Sequence, residues 1–230
     1  MSLILCIDTS LQLGSVSLSK NGECIAALYS DQQQEHASFL QPAIQRLMEQ
    51  VGMPLSALDA VAVSNGPGSY TGLRVGLASA KGLCFALNIP LITISSLQVM
   101  AHAMQQQVGA GNSSYLLCPM IDARRMEVFT AVYDAALHEV QAPSAVVLTP
   151  DFLGDALKEH TIYFAGNGAD KWMQMVESPN AKIISDIASV PSLCKLAYEQ
   201  AQLQAWANLA YAVPFYCKAF YQPTVANTGK

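Results

Sequence analysis

A two-lobed α/β fold is what this sequence predicts, on three observations. Residues 3–30 read as a β-hairpin with a third strand, opened by an apolar run that ends on Asp8. Residues 60–95 then alternate strand, helix and strand, which implies a parallel sheet covered on both faces. From residue 115 the opening phrase returns as an apolar run ending on Asp122, followed by two more extended segments, so an internal duplication is expected.

Each element has a local reason. Strands at 3–7 and 15–19 flank a loop at 8–14, and Lys20-Asn21-Gly22 turns the chain into 23–29, Asn-Gly supplying the positive φ angles of a tight hairpin. Phe39, Leu40, Ala43, Ile44, Leu47 and Val51 share one apolar arc, predicting a helix over 35–51 that begins just before Pro42 or kinks there and stops at Gly52. A strand at 60–64, a glycine-rich loop at 65–71, a helix at 72–87 and a strand at 90–95 follow. Gly109-Ala110-Gly111-Asn112 reads as a hinge. The second lobe is expected to contain strands at 115–121, 127–133 and around 145–148, a helix at 151–160, a strand at 162–165, a Gly166-Asn167-Gly168 loop, and helices at 171–177 and 192–207. The expected division is 1–108, 109–213 and a tail at 214–230, whose Phe215, Tyr216, Phe220 and Tyr221 predict that it packs back on the body. Two hairpin-led lobes with Asp-bearing loops point to the actin-like ATPase, ribonuclease H-like fold, in which these loops face each other across a cleft and hold nucleotide phosphates. A single doubly wound sheet is the alternative.

Composition narrows the function classes. With 230 residues, 52% of them hydrophobic, the chain can fill a substantial core. Its net charge is −5, from 12 basic and 17 acidic residues, and no Lys/Arg run offers to displace counterions from a nucleic-acid backbone, so any RNA is expected to be gripped mainly by another subunit. The apolar start reaches Asp8 without a basic flank and reads as a strand, not a signal peptide. The uncharged stretch from Gly82 to His102 is broken by Asn88, Pro90 and Ser95-Ser96, so no membrane span is expected. Cys6, Cys24, Cys84, Cys118, Cys194 and Cys217 lie far apart with no C-x-x-C pair, the pattern of buried thiols in a cytoplasmic protein.

The loop from Gly66 to Gly72 joins a strand to a helix whose first turn has unpaired N–H groups. It reads either as an anion cradle or as a structural turn; no Lys-Ser/Thr pair closes it, and Arg74 and Lys81 lie farther along the helix. In that helix Gly72, Gly76 and Ala80 stack at spacings of four, while Ala78, Ser79, Gly82 and Ala86 cover other sides. Such small residues admit a close neighbour, either this chain's own sheet or a helix of another chain.

The run GPGSYTGLRVGLASAKGL from Gly66 to Leu83, with Ile7-Asp8-Thr9-Ser10 before it and residues 90–97 behind, strongly resembles the TsaB family, formerly YeaZ. Residues 122–128 and Pro214-Phe215-Tyr216 fit the same family, although Cys217-Lys218 departs from its usual Leu-Arg. The resemblance implies an actin-like subunit that dimerises with TsaD, recruits the ATPase TsaE, and takes part in making threonylcarbamoyladenosine beside the anticodon of ANN-decoding tRNAs. It implies a homodimer when TsaD is absent and only indirect contact with tRNA. The expected partner patch is Phe39, Leu40, Ala43, Leu47, Thr71, Gly72, Arg74, Val75, Gly76, Ser79, Ala80 and Leu83.

The resemblance also bears on catalysis. The catalytic relative TsaD carries a His-x-x-x-His metal pair just after the strand that here is 91–94; Ser96 and Met100 stand at those places, and neither suits a hard or borderline metal. His102 has Gln98 and Gln106 four residues to either side, and His36, His138 and His160 are scattered. No G-x-S-x-G elbow is present. No catalytic residue, metal site or required cofactor is therefore expected. Weak ATP or ADP contact stays open through Asp8, Thr9, Ser10, Asp122, Arg124, Arg125, Gly166, Asn167 and Gly168. Arg124 and Arg125 either clasp a phosphate or form ion pairs with Glu127 or Asp8. The competing readings are an ATP-hydrolysing enzyme of the same fold and a peptidase homologue of the M22 type.

Overall fold

The computed structural model describes residues 2–30, 36–109 and 114–218, without the His36 side chain. The first sheet contains β1 (Leu3–Asp8), β2 (Ser15–Lys20), β3 (Glu23–Tyr29), β4 (Ala60–Ser64) and β5 (Leu91–Ile94), in the order β3-β2-β1-β4-β5. The second contains β6 (Tyr115–Asp122), β7 (Glu127–Asp134), β8 (Glu139–Val147), β9 (Thr161–Ala165) and β10 (Ala181–Ile184), in the order β8-β7-β6-β9-β10. In each, the opening strand pairs antiparallel with the next and parallel with the fourth. The two sheets therefore repeat one topology, and the fold is actin-like. Asn21 and Gly22, at φ 53° and 89°, make the first hairpin turn.

The helices depart from the expected bookkeeping of lobes. Helices α1 (His36–Val51) and α2 (Tyr70–Leu87) cover one face of the first sheet, with Leu40, Ala43, Leu47, Leu77 and Ala80 packed against Leu5, Ile7, Val16 and Val63. Helix α1 runs through Pro42, which faces solvent. Helix α3 (Ser96–Val108), not anticipated as an element, applies Leu97, Met100, Ala101 and Met104 to Tyr115, Leu117 and Tyr133 of the second sheet. Helix α6 (Ser189–Gln202), expected in the second lobe, applies Leu193, Cys194, Leu196 and Ala197 to Ile4, Cys6, Ala62 and Ile92 of the first. An amphipathic helix follows its apolar face, not its neighbours in sequence, so the two cross over and meet along a seam. There His102 Nδ1 lies 2.9 Å from Ser192 Oγ.

The remaining differences are at the edges. Strand β8 starts earlier than expected, β10 was not anticipated, α4 (Gly154–Glu159) and α5 (Ala169–Met173) are shorter, and α6 ends before residue 207. After α6 the chain returns over the first lobe: Ala207 N donates to Leu91 O (2.8 Å), Lys81 Nζ donates to the carbonyls of Ala210 and Ala212, and Phe215 N donates to Asn65 O (2.8 Å). Phe220 and Tyr221, like Ala110, Gly111 and Asn112 of the expected hinge, lie outside the described residues. Among the described residues no helix is long and apolar enough to cross a membrane.

Candidate functional site

The first phosphate-type loop is packed with this chain's own atoms. The Asp8 carboxylate accepts hydrogen bonds from Ser10 N (2.9 Å) and Ser10 Oγ (2.6 Å). Thr9 Oγ1 donates to Gly72 O (2.7 Å), and Ser69 N donates to Ser10 O (2.7 Å). At the start of α2, Ser69 Oγ accepts from Gly72 N (3.2 Å), a side-chain cap on one of the donors a phosphate would use. A β-carbon on Gly68 would collide with Ser10 O, and one on Gly76 with Thr9 Oγ1. The geometry thus favours the structural turn over the anion cradle for residues 66–72.

That packing corrects half of the expected partner patch. Leu40, Ala43, Leu47, Gly72, Gly76 and Ala80 are buried in this chain's own core, because the glycine-alanine row is what lets α2 lie close on β1 and β4. Phe39, Val75, Ser79 and Leu83 are half-buried along the α1–α2 groove, and Thr71 and Arg74 are exposed. Arg74 is engaged by the returning tail: its guanidinium sits 3.9 Å from the Tyr70 ring centroid, and Nε donates to Tyr216 Oη (3.1 Å).

The second loop is solvent-facing and held by charge. Asp122 Oδ1 accepts from Arg124 N (2.6 Å) and from Lys171 Nζ, and Asp122 N donates to Asn167 Oδ1 (2.8 Å). Arg124 and Arg125 adopt left-handed φ angles of 70° and 52° with exposed side chains, and Lys171 Nζ also donates to Arg125 O (2.7 Å). Glu127 pairs with Lys218 of the tail (2.6 Å), not with either arginine as expected. Gly166 packs on Met120 O, and a β-carbon on Gly168 would meet Val128 Cγ1 at 2.8 Å. Asp122, Asn167 and Gly168 are thereby brought together, as Asp8, Thr9 and Ser10 are with residues 68–76.

The places of the metal pair have structural roles here. Ser96 N donates to Gly66 O (2.9 Å) while Ser96 Oγ accepts from Gly66 N (3.2 Å), clamping the loop after β4. Met100 is buried with its Cε methyl against Gly166, the corresponding loop after β9. One turn of α3 thus buttresses both lobes. Burial lowers the pKa of His102. Among the described residues no group of three His, Cys, Asp or Glu side chains is placed to hold a metal ion.

What remains open is the outer face of α1 and α2. Gln41 Nε2 donates to Ser79 Oγ (3.0 Å) across it, Ala78 and Phe85 are exposed, and a β-carbon on Gly82 would meet nothing within 4 Å. A groove of about 740 Å³ lined by Ile44, Met48, Met53, Leu55 and Leu83 continues it. Lys171, Tyr216 and Lys218 were not anticipated as loop-holding residues. Only the aromatic content of the tail signalled that it would return.

Comparison with known proteins agrees with this geometry. The family model described as TsaD, tRNA N6-adenosine threonylcarbamoyltransferase, matches residues 28–212. A Bacillus subtilis relative named tRNA threonylcarbamoyladenosine biosynthesis protein TsaB is 33% identical over 76% of this chain and 75% of its own length. The solved structure of YeaZ from Pseudomonas aeruginosa superposes with a TM-score of 0.78 at 29% identity, covering 94% of this chain and 100% of that one. At 10% identity, the activator of 2-hydroxyisocaproyl-CoA dehydratase from Clostridium difficile, solved with bound ADPNP, shares the fold alone, with a TM-score of 0.50 over 89% of this chain and 96% of that one. By sequence over most of its length and by fold over nearly all of it, the chain belongs to the TsaB (YeaZ) family.

Proposed function

We propose that this chain is a non-catalytic subunit in the synthesis of threonylcarbamoyladenosine on tRNA, pairing with a TsaD-type transferase and helping to recruit TsaE. The observation that carries the reading is the occupation of the two metal-ligand places by Ser96 and Met100, both committed to packing. The Asp8 loop is filled in the same manner by Ser10, Ser69 and α2. The pairing surface is the outer face of α1 and α2 around Ala78, Gly82 and the adjoining groove, and it is the surface a second copy would use when the transferase is missing. Transfer RNA is gripped by the other subunits, in keeping with the net charge of −5.

Reconstitution of threonylcarbamoyl transfer with and without this chain tests the role: activity that depends on it, with none from it alone, is expected. Gly82→Arg tests the surface. The new side chain points into open space, so the fold should survive while capture of the transferase is lost. Normal capture by the folded variant would move the interface elsewhere, and turnover of Mg-ATP by the chain alone would overturn the non-catalytic assignment.

A further inference from the structure

The returning tail does more than cover the first lobe: over residues 214–218 it crosses from one lobe to the other. Phe215 N donates to Asn65 O (2.8 Å), and a β-carbon on Gly66 would collide with Phe215 O, so the chain lies directly on the loop after β4. One residue on, the Tyr216 ring centroid stands 5.6 Å from that of Tyr70, and Tyr216 Oη accepts from Arg74 Nε (3.1 Å). Tyr70 and Arg74 both belong to the first turns of α2. Beyond Cys217, Lys218 Nζ donates to both carboxylate oxygens of Glu127 on β7, at 2.9 and 2.6 Å. Residues 215–218 thus carry the chain from the loop that precedes α2 to the strand that follows the Asp122 loop.

Both ends of this crossing sit on residues that anchor an Asp-bearing loop. On the first lobe, Asn65 and Gly66 open the segment whose Ser69 N donates to Ser10 O (2.7 Å). On the second, Glu127 N donates to Arg124 O (3.2 Å) and Glu127 O accepts from Ala123 N (3.0 Å), which closes the Asp122 loop. The two ends differ in strength. The first-lobe end combines a backbone hydrogen bond, a ring contact and a hydroxyl bonded to a guanidinium. The second-lobe end rests on an ion pair whose lysine and glutamate side chains are 60% and 19% exposed, so water and salt weaken it. Between the two ends Cys217 is half-buried, and burial pushes its pKa up to about 11.

We propose that residues 214–218 are a releasable strap between the two loop clusters, buckled to α2 through Tyr216 and latched to the second lobe by Lys218 on Glu127. Shut, it holds the Gly66 loop and the Asp122 loop in one arrangement. Open, it uncovers Cys217, releases Arg74 on the exposed face of α2 from Tyr216, and returns the Glu127 carboxylate to solvent. An anionic group that claims Arg74 or Lys218 competes with the strap. Binding at one lobe is thereby felt at the other, because each end is held only while the whole crossing is in place.

The test is alkylation of the folded full chain with iodoacetamide, a neutral reagent, read at each cysteine by peptide mapping and joined to amide hydrogen exchange. In Lys218→Met, Cys217 should be alkylated on the order of threefold to fivefold faster than in the wild type. Cys24, half-buried on β3, should keep its rate. High salt should speed Cys217 in the wild type and leave the variant unchanged. The Phe215 amide should exchange faster in Lys218→Met, and the amides across 123–127 faster in Arg74→Ala, each loss being read at the far end. Cys217 and Phe215 unmoved in Lys218→Met would show that the ion pair latches nothing. Exchange across 123–127 unmoved in Arg74→Ala would reduce the tail to separate local contacts, and Cys24 quickening in step with Cys217 would mean general loosening; either result overturns the strap. Arg74 and Lys218 are exposed, so both variants should fold, and the salt response of the wild type is decisive without them.

Discussion

The two lobes share one strand order, yet their Asp-bearing loops have opposite fates. The first residues of the Asp8 loop are sealed: Thr9 and Ser10 are 0% and 1% exposed, and their polar atoms are bonded to Gly72 in the first turn of α2, to Ser69 just before it, or to Asp8 itself. The Asp122 loop lies at the surface, held by Lys171, Asn167 and two consecutive left-handed arginines. The difference follows from the helix after the fourth strand. In the first lobe that helix is α2, 18 residues long, and its glycine row lets it press on the loop. In the second it is α5, five residues long, which reaches β6 and β10 but leaves the Asp122 carboxylate at the surface in the hands of Lys171. The two sheets repeat one strand order, while the Asp-bearing loop is packed into core on one side and left to ion pairing on the other.

The largest effect expected from this contrast is in the second lobe, whose short helices lean on a single large side chain. Trp172 is fully buried, its ring centroid 4.4 Å from that of Phe164 and 5.8 Å from that of Phe152, and Nε1 donates to Thr149 O (3.1 Å). Trp172→Ala should cost ~3–5 kcal/mol in denaturant unfolding and loosen residues 115–184 before the first sheet. A loss below ~1 kcal/mol would show that the second lobe is not organised around this ring.

Next in size is the glycine contrast within α2. Gly76→Val drives two methyl groups toward Thr9 Oγ1 and should destabilise by ~1–3 kcal/mol. Gly82→Ala, six residues on and in open space, should instead stabilise by ~0.5–1 kcal/mol through helix propensity. Denaturation midpoints moving the same way for both would break the division of α2 into a core face and an open face.

Strands proved more legible in the sequence than helix partners or loop contents. The hairpin at 3–29 and the strand at 60–64 follow from short apolar runs and Asn-Gly, signals that are local, and β1, β2 and β4 are buried on both faces. That α3 covers the second sheet and α6 the first is fixed by which apolar faces fit, a non-local matter with no spacing signature. The row Gly72, Gly76, Ala80 signalled close approach without saying to what, and the core of this chain turned out to be the neighbour. Ser96 and Met100 stood out as unsuitable metal ligands, but the clamp of Ser96 on Gly66 and the packing of Met100 on Gly166 depend on atoms brought from other strands. Lys171 and Lys218 reach their acids across 49 and 91 residues, beyond any local pattern.

A smaller effect is expected at the Asp122 loop. Lys171→Met keeps the aliphatic stem and removes the ion pair, whose side chains are 21% and 37% exposed. Solvent screening holds the expected loss to ~1 kcal/mol or less. Amide exchange across 122–127 should nonetheless quicken, because Lys171 also anchors the Arg125 carbonyl. Unchanged exchange there would mean that the left-handed arginine turn stands without the lysine.

The smallest effect falls on the seam where the lobes exchange helices. His102 on α3 is buried against Ser192 on α6, and desolvation lowers its pKa from the usual 6.5, opposed by Glu199 and assisted by Lys195. The unfolded chain therefore takes up this proton first as pH falls. Above about pH 6.5 the imidazole is neutral in both states and its contribution to folding is complete; as pH drops from there toward the lowered folded value, stability declines, and the decline ends once both states are protonated. Denaturation midpoints followed from about pH 7.5 down to about pH 5 should show this slope in the wild type and a flatter one in His102→Gln, whose amide can still meet Ser192. An equal slope in both would place the acid sensitivity of the chain away from the α3–α6 contact and leave the seam as a neutral packing joint.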